Sequence, residues 1–132
     1  MRIERYTLLE LKDKYYQLHN DIFPKDQYHI PSVIYLVFDK EYMGFISGYF
    51  HDQRTFYIQR TAKSNKDFSL KFAQQAFGYL KETEHIRYFL GQIETFNTRA
   101  IITSLITGWT INGYFTDTSG KPYVRIIMDV GD

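Results

Sequence analysis

The chain has 132 residues, 44% of them hydrophobic, and a formal net charge of +1, so it can bury one core and lacks the field to hold a polyanion by bulk electrostatics. It contains no cysteine, which excludes disulfides, thiolate nucleophiles and cysteine zinc sites, and His19, His29, His51 and His85 follow no metal-ligand spacing. No run approaches the roughly 18 apolar residues of a membrane-spanning helix and the start lacks an apolar signal core, so the expectation is a metal-free cytoplasmic protein, one domain over residues 1–132.

Tyr, Phe and Trp together make 18% of the chain. Each combines large apolar area with few rotors, which suits core filling, pocket lining or a self-association surface.

Met1–Tyr6 reads as a short strand. Thr7 then offers a capping box with Glu10, and Leu8, Leu11, Tyr15, Leu18 and Ile22 fall on one face of the helix that follows. Pro24–Pro31 is a polar loop bracketed by prolines. Val33–Phe38 and Tyr42–His51 read as a hairpin around Asp39-Lys40-Glu41, and Gly44 and Gly48 inside the second strand signal a bulge or a close backbone approach. After a turn at Asp52–Arg54, Thr55–Ala62 alternates as a third antiparallel strand.

Lys63–Phe68 is polar. From Ser69 to about Glu84, Leu70, Ala73, Ala76, Phe77 and Leu80 return at helical spacing, and Ile86–Ile93 is apolar enough for a central strand. Asn97 caps a third helix that is expected to turn Ala100, Ile101, Leu105 and Ile106 to the core and to stop at Gly108. Ile111–Thr116 and Pro122–Val130 read as strands joined by a turn-rich Asp117–Lys121. The order β-α-β-β-β-α-β-α-β-β describes an α/β fold with a mixed, mostly antiparallel sheet and helices on both faces.

That order, with Asn97-x-x-Ala100, then Gly108-Trp109, and the closing stretch from Gly113 to Arg125, resembles the GNAT family of N-acyltransferases. The family's last helix reads Asn-x-x-Ala, with Tyr seven residues after the Asn and Gly-Phe at eleven and twelve. The resemblance runs from Val33 onward, and the short Pro24–Pro31 loop departs from it. It implies a GNAT-like fold and an acyl-CoA-dependent N-acyltransferase, with acetyl-CoA or a related acyl-CoA as co-substrate and an amine acceptor attacking the thioester directly.

Two departures concern chemistry. The family's pyrophosphate loop, Arg/Gln-x-x-Gly-x-Gly/Ala, falls here on Ser64, Asp67 and Ser69, so both glycines are missing, and Asp67 brings a negative charge toward a phosphate. Ser104 stands where the family places a tyrosine general acid.

The resemblance puts backbone around Ile58, Gln59, Arg60 and Thr61 beside the acyl carbonyl. It puts Lys63, Ser64, Asn65, Lys66, Asp67 and Ser69 at the phosphates and Asn97 at the pantetheine arm, with Lys71, Arg54 and Arg60 as further cations. Ser64, Asn65 and Ser69 are equally good helix caps. Glu94, at the end of the central strand, is the candidate base by analogy with α/β sheets that bind ligands beyond their strand ends. Tyr57, Gln59 and Tyr114 are expected in the same cleft, where a tyrosine suits thiolate protonation better than Ser104. Two rival readings stay open. One is a catalytically degenerate GNAT-fold binding or regulatory module, dimeric through its aromatic surface. The other is a nucleic-acid-modifying enzyme whose Arg54–Lys71 cations meet phosphates.

Overall fold

A computed structural model describes residues 1–24, 30–63 and 70–131. Seven strands form one sheet in the order β1 (Arg2–Tyr6), β2 (Val33–Asp39), β3 (Glu41–Asp52), β4 (Thr55–Lys63), β5 (Tyr88–Glu94), β7 (Pro122–Asp129) and β6 (Thr110–Thr116). Every pairing is antiparallel except β4 with β5. The fold is the mixed, mostly antiparallel α/β arrangement that the pattern of the chain describes.

The expected first helix is two: α1 (Leu8–Leu11) and α2 (Asp13–Ile22). The Thr7 capping box forms, with Thr7 N donating to Glu10 Oε1 at 2.8 Å and Glu10 N to Thr7 Oγ1 at 3.2 Å. Lys12 then takes φ 50°, which ends α1 and starts α2 in a new direction. The apolar stripe runs across the break, so spacing alone does not reveal it. The new direction sinks Tyr15 and His19 fully against the sheet, leaving Leu8, Leu11, Leu18 and Ile22 partly buried.

Strand alternation sorts the core into two clusters, one on each face. On the first face, α1 and α2 lie over Ile34, Leu36, Phe45 and Ala62, with the hydroxyls of Tyr15 and Ser47 bonded at 3.0 Å. On the second, α3 (Leu70–Glu84) lays Ala73, Ala76, Phe77 and Leu80 on Tyr35, Ile46, Phe56, Phe89, Ile126 and Met128.

Asn97 caps α4 (Thr98–Ile106), its Oδ1 accepting from Ala100 N at 3.2 Å. Gly108, at φ 99°, turns the chain out of the helix, and Trp109 drops into the core edge-on to Phe77 at 6.0 Å. The apolar face of α4 is not in the core as expected. Ala100 and Ile101 are half-buried, but Leu105 is 47% and Ile106 68% exposed. The helix sits at the β6 margin, where the sheet has no further width to cover it. Among the described residues, no helix is long and apolar enough to cross a membrane, and no His, Asp and Glu side chains gather as a metal site.

Candidate active site

The sheet opens between its two parallel strands. β4 and β5 pair only at Thr55–Tyr88, Phe56–Phe89 and Tyr57–Leu90. Beyond that point β4 continues on β3 as far as Lys63, and β5 continues on β7 as far as Glu94. Past Tyr57 and Leu90 the two strands therefore face each other without a ladder, and the backbone groups they turn inward have no strand partner.

A bulge drives the parting. Opposite β4, Ser47 pairs with Arg60 and Gly48 with Ile58, which leaves Gln59 as an extra residue that bends the strand. Only glycine fits opposite the bulge, because a Cβ at position 48 would lie 1.9 Å from the Tyr57 carbonyl oxygen. The Oε1 of Gln59 is buried and accepts no hydrogen bond from the described residues.

Tyr57 clasps the mouth of the opening. Its hydroxyl donates to Gln92 Oε1 across the gap at 2.5 Å, and its ring stacks on Tyr49 at 5.1 Å and 20°. Burial, then the neighbouring Tyr49, pushes the phenol up to about 12, against the opposing pull of Arg125. Tyr57 thus keeps its proton through the whole neutral range.

Gln92 and Glu94 alternate along β5 on the same face as Tyr57. Glu94 accepts from Lys121 Nζ at 3.2 Å, and that bond raises the Lys121 pKa. Its carbonyl accepts Asn97 N at 2.9 Å, so the strand end, the base candidate and the α4 cap form one piece.

The other expected residues scatter. Ser104 spends its carbonyl on closing α4, accepting from Trp109 N at 3.0 Å, and no described contact joins it to Tyr57 or Glu94. Tyr114 pairs with Val124 and so projects from the opposite face, 66% exposed, rather than into the cleft with Tyr57. Asn112, an extra residue on β6, sets this phase, and a bulge of that kind is not visible in alternation.

Arg60 turns to α2, donating to His19 Nε2 at 3.4 Å with its guanidinium 4.9 Å from the Phe23 ring. Arg54 sits in the β3–β4 turn, where its Nε donates to the His85 carbonyl at 3.4 Å. That is a full strand length, roughly 25–30 Å, from Lys63, so Arg54 does not join Lys63 in one cation cluster. Ile58, Gln59, Thr61 and Lys63 do lie on the parted stretch of β4. Ser64, Asn65, Lys66, Asp67, Ser69 and the Lys71 side chain lie outside the described residues.

The remaining half of this face carries a group that the sequence reading missed. Over β5, β7 and β6 no described helix covers the sheet, and Gln92, Tyr123, Arg125 and Phe115, bordered by Tyr49 of β3 and Tyr57 of β4, form a half-open aromatic floor. Phe115 and Tyr123 stack at 5.2 Å and 14°, and the Arg125 guanidinium lies 4.6 Å over Phe115. The alternation of Pro122–Asp129 already puts Tyr123 and Arg125 on one face. Only the register says which face. Two open depressions, of about 470 Å³ beside Arg54 and Arg87 and about 310 Å³ between Phe77 and Met128, lie away from this floor and bring no clustered chemistry.

No protein-family model matches the sequence, and no curated protein matches it significantly. Solved structures do. An acetyltransferase from Bacillus subtilis in complex with CoA aligns over 98% of this chain and 99% of its own, with TM-score 0.69 and 18% identity. An N-acetyltransferase from Staphylococcus aureus covers 98% of both chains (0.68, 13%), and a variant of the spermidine N-acetyltransferase of Vibrio cholerae covers 98% and 95% (0.67, 11%). The fold is that of the GNAT acetyltransferases.

Proposed function

We propose that this chain, acting as one cytoplasmic domain, is an acyl-CoA-dependent N-acyltransferase that moves an acetyl or related acyl group to a small-molecule amine. The observation that carries the reading is the parting of β4 from β5 beyond Tyr57 and Leu90, at the Gln59 bulge. An extended, amide-bearing arm fits there by adding itself to the open edge of β4, and the buried Gln59 Oε1 supplies an acceptor for an amide N–H.

The co-substrate supplies an acyl carbon already activated as a thioester. The amine nitrogen bonds to that carbon, the C–S bond breaks, and the proton leaving nitrogen ends on sulfur. The inward N–H groups of Ile58–Thr61 suit the carbonyl oxygen as charge builds on it. Tyr57, at about 12, is a weaker acid than a thiol of ordinary pKa about 8.5, so it steadies the departing sulfur by hydrogen bonding without surrendering its proton. Glu94 takes the amine proton through water, must loosen from Lys121 to do so, and passes the proton on by water to the departing sulfur. Asn97 fixes the strand end behind it.

Titration calorimetry with acetyl-CoA, followed by thioester loss across an amine panel, tests the reading. Binding and turnover of at least one amine are expected, and absence of binding at millimolar ligand sinks it. The Lys121 grip on Glu94 and Ser104 in the place of the family's tyrosine favour the binding-module reading as the second choice. Tight acetyl-CoA binding without thioester loss would assign the chain to it.

A further inference from the structure

Arg125 is the charged side chain of the open floor that has no ion-pair partner among the described residues. It is exposed, yet its place is fixed from both ends. Its stem lies across Gly113, where a Cβ would come within 3.4 Å of Arg125 Cδ, and its guanidinium rests on the Phe115 ring that Tyr123 backs. A planar fork held at one position on an aromatic surface loses little freedom when it receives an anion.

The acids nearby are already engaged. Glu94 is bonded to Lys121, and Asp117 Oδ1 accepts from Ser119 N at 2.9 Å, Ser119 Oγ at 2.6 Å and Lys121 N at 2.9 Å within its own turn. Asp129 stands at the far end of β7 beside Arg87, at 3.7 Å. A polycation entering the floor meets carboxylates that are taken and a guanidinium that is not. An anion meets the reverse.

We infer that the acyl acceptor is an amine that also carries an anionic group, a carboxylate or a phosphate, which Arg125 binds while the nitrogen reaches the opening beside Tyr57. The inference rests on the acyl-transfer reading above. β7 lies two strand spacings, roughly 10 Å, from β4, so nitrogen and anion are several bonds apart, as in an ω-amino acid or an aminoalkyl phosphate. A polyamine, the substrate named for the Vibrio cholerae enzyme, does not fit this floor.

The test titrates the full chain, with and without CoA, with 4-aminobutyrate, 2-aminoethyl phosphate, butylamine and spermidine, and assays the same four as acceptors. The anionic amines should bind more tightly than butylamine, and Arg125→Gln should shrink that preference about five- to tenfold. A preference for 4-aminobutyrate identifies the carboxylate and one for 2-aminoethyl phosphate identifies the phosphate. Preference for spermidine, parity with butylamine, no binding of any of the four, or indifference to Arg125→Gln overturns the inference. Arg125-dependent binding without acylation would leave this site standing and remove acyl transfer. Preferential acylation of spermidine would do the opposite.

Discussion

One face of the sheet is built in two ways. Over β2, β3 and β4 it is sealed by α2, and Tyr15, Ile34, Phe45 and Ser47 are fully buried, with the one hydroxyl pair satisfied internally. Over β5, β7 and β6 no described helix covers the same face, and Tyr123, Phe115 and Arg125 stack on one another instead. The boundary falls at β4, where the Gln59 bulge also parts the sheet. Aromatic side chains therefore serve stability on one side and leave recognition surface on the other. Exposure, not composition, separates the two.

The widest contrast comes from deleting a ring on each side. Phe45→Ala should cost about 3–5 kcal/mol of unfolding free energy and Phe115→Ala about 1 or less, both read from denaturant melts. Comparable losses would mean that the open half is a second core. Gly48→Ala acts at the boundary: the collision with the Tyr57 carbonyl should cost about 2–3 kcal/mol and weaken acetyl-CoA binding in the fraction that stays folded.

Tyr57→Phe should lower acyl transfer roughly 10²-fold while stability changes by no more than about 1 kcal/mol. An unchanged rate would strip Tyr57 of its role.

Alkaline titration followed by tyrosinate absorbance extends the comparison. Tyr15 and Tyr42 beside α2, and Tyr35 beneath α3, are raised by burial, and Tyr57 is raised to about 12. A raised phenol binds its proton more tightly folded than unfolded. Its stabilising contribution is whole below pH about 10 and lost as the pH climbs toward 12. These tyrosines should ionise late and together with unfolding. The smallest effect belongs to Tyr114→Ser, on the opposite face, which should alter transfer less than about twofold and stability by about 0.5 kcal/mol or less.

Much of the fold was legible along the chain because its signals are local. The Thr7–Glu10 box, the Asn97 cap and the Gly108 stop each act within a few residues of themselves. What escaped depends on partners far away in sequence. Lys12 breaks a stripe that spacing reads as continuous, and α4 keeps an apolar face because it lands at the sheet margin. The site divides in the same manner. Glu94 could be chosen from its strand-end position, but the face it shares with Tyr57 follows from the β4–β5 register. Tyr114 was misplaced by an unseen bulge, and Arg125 went unmarked because an outward residue in an alternating strand looks like solvent-facing polarity until its neighbours are known.

Trp109, the one tryptophan of the chain, lies 3.9 Å from where a side chain at Gly91 would begin, and Gly91 is the first residue of β5 past the last ladder pair with β4. The indole thus sits on the underside of the opening, shielded from water and touching the strand that borders it. Whatever enters between β4 and β5 perturbs the one indole emitter in the molecule, so the protein carries its own optical gauge of occupancy, readable without label or coupled reaction.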